Sequence, residues 1–489
     1  MKKIVVVGAG IAGLSAAIYA KRSGLDVTLI EQHSIAGGMC TSWKRKGYLF
    51  EGAVHWLTGS SPKTELYQLW KETGALSDNV KVFLPEIFTA VEQDDRIIYL
   101  YRDIEKTAEH LSSVSPVDRQ QLRQLVSDVK AFSNMQMPIF DIKGVKTRNP
   151  KRFTFKALIK MLPAFPKMGR LNKISCKEYA EKFKHSGIRR LLKIVPDEFS
   201  AVSLIATLST LDTGDGGYPE SGSLAIANRM VKTFKDSGGK LLLNTQVKKI
   251  AVENGTVTGV KLENETIYAD AVIVTQETIA AVKQLFDIHP EEDWITELCK
   301  NTKHSACVFI SVGINADISA TPVPAWILDE PIIYADKKVT EIGFNNYVEY
   351  KGYAPEGCTA LTTALMGDTY DFWKKAKDEG RYEEEKQNLA EQIRRAVCKK
   401  FPQAEGKIEV IDIATPLTYE RYTGAYHGSW MSVSGPGDKM KAYPGCLKNI
   451  KGLYFAGHRI MSPGGLPVAV FTGWQAAQMV CRQFDVVFS

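Results

Sequence analysis

The run Gly8-Ala9-Gly10-Ile11-Ala12-Gly13 has the spacing G-x-G-x-x-G, and each of its three glycines has a separate physical task. The first allows a tight turn, the second lets the backbone approach a pyrophosphate, and the third lets helix and strand pack closely. The N-terminus of the helix that follows turns its unpaired N–H groups and its dipole toward the phosphates. Glu31 stands 18 residues beyond Gly13. A carboxylate there can accept from both hydroxyls of an adenosine ribose, and it repels a 2′-phosphate.

A glycine motif alone is a weak signal, so the elements around it decide. Residues 4–7 read as a short buried strand, 11–22 as a helix of small and apolar residues ended by Gly24, and 27–30 as a second strand closed by Glu31. This is a β-turn-α-β unit within about 30 residues, the size of a dinucleotide unit. Gly37-Gly38 follows closely and can let the backbone cross near a ribitol. At the far end, the strand 452–456 runs through Gly457-His458 and Ser462-Pro-Gly-Gly-Leu466 into a helix from Pro467. A helix start aimed at an isoalloxazine stabilises the negative charge that develops there on reduction. The two ends together predict FAD rather than NAD. No cysteine adjoins the C-terminal motif, so the FAD is expected to be non-covalent.

Between these ends the chain divides. The expected fold class is α/β: a Rossmann-type, glutathione-reductase-like FAD-binding domain with an inserted α+β substrate domain. The FAD-binding domain takes residues 1–92, 215–290 and 440–489, and the substrate domain takes a helical part, 93–214, and a β-sheet part, 291–439. Strands are expected at 240–252, 256–262, 266–274, 307–314, 341–348, 359–366 and 408–413, with helices at 223–237 and 370–400. No second strand–glycine–helix unit is visible, so an integral NAD(P)H domain is excluded.

The assembled motifs resemble the phytoene desaturase superfamily of flavoproteins, within it the branch of carotenoid isomerases and retinol saturases. The similar pieces are GAGIAGL at the start, Glu31 with Gly37-Gly38, Phe50–Gly59 with His55, Tyr218-Pro219, Val247, Ala269–Thr275, Thr415–Tyr422 and the C-terminal segment. The resemblance implies that Gly8, Gly10, Ala12, Gly13, Glu31, Gly38 and Val247 line the adenine–ribose–pyrophosphate path, with Ile11, Gln32, Gly37 and Met39 beside them. It implies that Gly457, His458, Leu466, Pro467 and Val468 approach the ribitol and flavin. Relatives usually carry an acidic residue or glutamine at the place of His458, and often Arg at that of Met39. His55 is the side chain expected beside the flavin, as the one candidate catalytic residue. It either transfers a proton at a substrate carbon or only packs and hydrogen-bonds; the second is favoured, because flavin itself accepts hydride.

The implied activity is desaturation, saturation or cis–trans isomerisation of carbon–carbon double bonds in a hydrophobic polyene or isoprenoid. One alternative is an amine oxidase-like enzyme, which would want an aromatic cage from residues such as Trp56, Tyr422 and Trp430. Another is a lipid carrier that retains FAD without turnover. The electron donor or acceptor is not legible.

Charge adds a partner. Residues 143–193 hold 16 Lys or Arg against Glu178 and Glu181, so this segment carries +14 of a chain whose net charge is +7. Phe155, Leu158, Ile159 and Leu162 fall on one helical face with Lys156, Lys160 and Lys167 around it and Phe165 following, an arrangement that suits an anionic membrane surface. A solvated lysine face is the plainer reading. No nucleic-acid module accompanies the patch, so no nucleic acid is expected. The eight cysteines show no C-x-x-C and the eight histidines no H-x-x-x-H, so neither disulfides nor a metal site are expected. With no signal peptide and no long apolar run, the expected location is cytoplasmic, peripheral on a membrane.

Overall fold

The computed structural model describes the chain apart from residues 152–154, 288–289 and 319–321, with the backbone alone at Lys156 and Ala157. A five-stranded parallel sheet takes its strands from the two ends and the middle of the chain. Its order is Leu453–Phe455, Ala271–Val274, Lys3–Val7, Asp26–Ile30 and Lys240–Leu242. Ile4 and Val6 point into one core, with the helices Ile11–Arg22, Gly222–Asp236 and Gly465–Gln483. Val5 and Val7 point into another, shared with the antiparallel sheet Lys249–Glu253, Thr256–Lys261 and Thr266–Tyr268. A strand covered on both faces has no polar side to show, which explains the unbroken run of apolar residues at 4–7.

The C-terminal helix lies tightly against Ile11–Arg22. A Cβ on Gly473 would fall 2.2 Å from the Ala12 carbonyl, and Ser15 Oγ donates to the Val470 carbonyl at 2.7 Å.

Two further cores fill the rest. One is mostly helical and gathers residues between Val91 and Leu208. The other lies under an antiparallel sheet of order Asn345–Asn346, Thr359–Met366, Cys307–Ile314, Ile408–Ala414, covered by the helices Tyr370–Asp378 and Tyr382–Lys400.

Several expected elements differ in detail. The run 240–252 is two strands in two sheets, because the chain leaves the parallel sheet after Leu242 and pairs antiparallel from Lys249. The helix expected over 370–400 breaks at Gly380, which takes φ +74°. The strand expected at 341–348 is instead the end of a hairpin, Trp326–Tyr334 with Lys337–Ile342, followed by the two-residue strand at 345–346. Another hairpin, Ile87–Gln93 with Arg96–Tyr101, bridges the boundary drawn at residue 92.

Candidate functional site

The two glycine turns interlock at the C-terminal edge of the parallel sheet. Gly8 adopts φ +96°, and Gly37 N donates to the Ala9 carbonyl at 2.8 Å. A Cβ on Gly13 would sit 1.9 Å from the Gly8 carbonyl, so only glycine lets this helix lie on this strand. Gly10 differs: the nearest atom to a Cβ there is the Gly37 carbonyl at 3.9 Å. Its open side faces a cavity. Glu31 is buried, its Oε2 accepting the Ala9 N–H at 2.8 Å and its Oε1 the His33 N–H at 3.0 Å. A carboxylate has about four acceptor sites, so capacity remains for hydroxyls from the cavity.

The cavity measures about 1780 Å³. A site for one drug-sized ligand occupies roughly 300–1,000 Å³, so there is room for a dinucleotide and a second molecule. Every residue expected on the cofactor path lines it except Gly13, which stands behind the wall as a packing residue. Thr245, Gln246 and Thr275 also line it. Thr275 Oγ1 lies 2.9 Å from both the Val7 and Gly8 carbonyls, so it braces the glycine turn from the neighbouring strand. At the opposite side Gly464 and Gly465 adopt φ +93° and +80° and start the last helix, whose first residues, Leu466 to Val468, face the cavity.

His55 opens onto the cavity, and Asn345 Nδ2 lies 3.3 Å from its Nδ1. With the amide donating, Nδ1 is the acceptor and Nε2 carries the proton. Desolvation pushes its pKa down to about 4. His458 is held lower still, at about 3, by burial and by the Arg459 guanidinium. Both imidazoles are therefore neutral near pH 7.

Arg459 was not legible as a site residue. It is buried, pairs with Glu277 at 3.0 Å and donates to Ser429 Oγ at 2.6 Å and Ser432 Oγ at 2.8 Å. Glu277 also caps the helix Thr278–Gln284. The pair ties the C-terminal motif to the segment that follows the strand Ala271–Val274, across 182 residues of sequence, a separation no local pattern reports.

Away from the nucleotide turns the walls become apolar. Phe132, Ile194, Val195, Phe199, Val202 and Ala206 come from the helical part, and Phe309, Ala364 and Met366 from the antiparallel sheet. Nine of the chain's 12 methionines line the cavity, among them Met135, Met137, Met161 and Met168. Methionine is flexible and polarisable, so such walls can adapt to an irregular apolar guest. Trp56, Tyr422 and Trp430 all line the cavity, Trp56 edge-on against Phe88 and Tyr422 on His33, beside the Glu31 end.

Phe155, Ile159, Leu162 and Phe165 are exposed, and Phe165 also lines the cavity. The basic segment is less charged outwardly than its composition suggests. Lys151 pairs with Glu72, Lys167 and Arg170 with the buried Asp128, and Arg190 with Glu341. These acids lie outside the segment, which is why its own sequence does not show the neutralisation. The Lys156 side chain lies outside the described residues, and Lys160 is exposed. Among the described residues, no helix is long and apolar enough to cross a membrane.

A parallel dinucleotide sheet, paired glycine turns and a helix start facing one cavity define the class: a flavoprotein with a substrate chamber. Residues 11–481 match the model of the flavin containing amine oxidoreductase family. The chain belongs to that family and is an FAD-dependent oxidoreductase. It is 23% identical over 511 residues to a 1-hydroxycarotenoid 3,4-desaturase of a Flavobacterium species, covering 98% of this chain and 99% of that one. It is 23% identical over 509 residues to a chloroplastic prolycopene isomerase of Daucus carota, covering 99% and 80%. Among solved structures, cyclohexylamine oxidase from Brevibacterium oxydans shares the fold with a TM-score of 0.60 at 14% identity, over 99% of each chain. The resemblance to the phytoene desaturase superfamily is thereby borne out.

Proposed function

We propose that this enzyme acts on carbon–carbon double bonds of a hydrophobic polyene or isoprenoid, by desaturation, saturation or cis–trans isomerisation, with FAD held non-covalently. The carrying observation is one continuous cavity that joins the glycine turns to a methionine-lined apolar chamber. The desaturase and isomerase names of the relatives support the same reading. The amine oxidase-like reading is supported less well, since the carotenoid-related relatives match nearly the whole chain in sequence and the amine oxidase shares only the fold.

The residues fit the cofactor. Gly10 leaves its side open for a pyrophosphate at the helix N-terminus, Glu31 offers acceptors to a ribose, and Leu466 to Val468 start a helix at the flavin end. Bound flavin supplies hydride exchange with carbon. The chain's own work is to grip the substrate, exclude water and present His55. Its neutral imidazole can receive a proton or hold a hydrogen bond, and it makes a poor acid at pH 7. The five-segment division is supported by the parallel sheet, whose strands come from 1–92, 215–290 and 440–489. The exposed apolar residues beside the cavity support peripheral contact with a membrane.

Aerobic and anaerobic incubation with host lipid extract tests the proposal. Expected is a polyene that gains or loses two hydrogens, or changes retention at constant mass. Flavin that stays oxidised with every polyene and reductant would leave a carrier, and amine-dependent peroxide would identify an amine oxidase.

A further inference from the structure

Glu51 ends the strand Tyr48–Glu51, fully buried, and the groups that reach its carboxylate are donors without a cation among them. Oε1 accepts the Ala53 N–H at 3.1 Å and shares the Val54 N–H, 3.4 Å away, with Ser223 Oγ at 2.9 Å. Oε2 accepts the Ser223 N–H at 2.9 Å and the Tyr218 hydroxyl at 2.8 Å. Backbone N–H groups only donate, so the acid meets them as an acceptor. Tyr218 gives its proton to Glu51, and the adjoining Tyr353 hydroxyl then donates to Tyr218.

Burial pushes the Glu51 carboxyl above the ordinary carboxylate range, and the donors from Ser223, Ala53 and Tyr218 pull it back toward the ionised form. Ser223 lies in the first turn of the helix Gly222–Asp236, whose dipole favours an anion at that end. A Cβ on Gly222 would fall 2.0 Å from Glu51 Oε2, and Gly222 takes φ +68°. Glycine alone admits the carboxylate here. The same helix start holds the next turn of the cavity wall, since Cys40 Sγ contacts the Ser223 carbonyl at 3.4 Å. Ala53, Val54 and His55, which follow Glu51 directly, line the cavity.

We propose that Glu51, ionised, is a positioning residue for the flavin: it pins the loop 52–55 that carries His55, and its negative charge behind that wall holds the cofactor's reduction potential down. This rests on the FAD-binding reading above. A negative charge near the ring opposes the arrival of electrons, and in a dry interior the opposition is weakly screened.

The experiment compares FAD-loaded wild type, Glu51→Gln and Glu51→Asp by dye-coupled determination of the flavin midpoint potential, with thermal melting of each apoprotein. The potential is expected to rise in Glu51→Gln and to stay near the wild-type value in Glu51→Asp, which keeps the charge, whatever happens to melting. Should Glu51→Gln fail to fold, Tyr218→Phe at pH 8 serves instead: it strips a donor from the carboxylate and is expected to lower the potential. A Gln variant at the wild-type potential, an Asp variant shifted as far as Gln, or an unmoved Tyr218→Phe would overturn the proposal. Wild-type protein that takes up no FAD overturns the cofactor reading and this proposal with it. A yellow wild type with invariant potentials overturns this proposal alone.

Discussion

Glu31 Oε2 accepts the Ala9 N–H at 2.8 Å, so the acid that ends the second strand is tied to the glycine turn that follows the first. Its side chain therefore shapes the nucleotide turn before any ribose arrives. Glu31→Ala is expected to weaken FAD binding by about 1.5–3 kcal/mol, and also to lower apoprotein stability by about 1 kcal/mol, because the Ala9 amide loses its partner. Flavin titration and melting of the apoprotein measure the two effects separately. Unchanged apoprotein stability would mean that the turn holds its shape without the carboxylate.

Two glycines of the same motif should separate fold from binding. Gly13→Ala places a methyl group on the Gly8 carbonyl and is expected to cost about 1–3 kcal/mol of stability or more. Gly10 has φ −71° and open space around its missing side chain, so Gly10→Ala should keep the melting temperature and lose FAD. Equal effects on melting and on flavin content in both variants would contradict this division.

Removing the imidazole in His55→Ala is expected to keep FAD and the fold while changing turnover per bound flavin. Loss of flavin, with normal activity per flavin remaining, would make His55 a structural contact only.

Acid should destabilise the enzyme in a definite window. His304 is held near pKa 4 and His458 near 3, each first by burial, whereas an unfolded histidine takes its proton near 6.5. Between about pH 6.5 and 4 the unfolded chain binds protons that the folded chain refuses, so stability falls as pH falls. Melting temperatures across this range check it. His304→Asn, which keeps a polar group near Arg459, should flatten the slope. A profile flat from pH 7 to 4.5 would contradict the withheld protonation.

Membrane contact is testable at the exposed residues of the basic segment. Lys151 and Lys167 are engaged with Glu72 and Asp128, so reversing them would disturb the fold as well as the surface. Lys160→Glu should weaken flotation with anionic vesicles at low salt, each surface lysine contributing about 1 kcal/mol. Serine at Phe155, Ile159 and Leu162 should remove the binding that survives high salt. Wild-type protein that floats with no vesicle at any salt would leave the segment a solvated face.

The methionine walls carry a prediction about breadth. Leucine at Met135, Met161 and Met168 conserves volume, so stability should change by less than about 1.5 kcal/mol per site. The stiffer walls should nevertheless separate cis and all-trans polyenes in affinity by about tenfold, or 1.4 kcal/mol, where wild type takes both. Perturbation of flavin absorbance reports each binding curve. Equal isomer ratios in both proteins would show that the methionines do not confer the tolerance.

The nucleotide half is encoded locally. Gly8 to Gly13, Glu31 and Gly37-Gly38 lie within 31 residues, and their task is set by backbone sterics and by one βαβ repeat, which are short-range. The C-terminal turn was legible for the same reason. Relations between distant segments arise only on folding: Arg459 with Glu277, Glu51 with the helix at Gly222, and the methionines of the helical part gathered into one cavity with those of the rest. The outward charge of the basic segment is set the same way, since Lys151, Lys167 and Arg190 pair with the distant acids Glu72, Asp128 and Glu341. Periodicity and propensity act over a few residues. Ion pairing and cavity walls are settled by packing across the chain, and no local pattern encodes them.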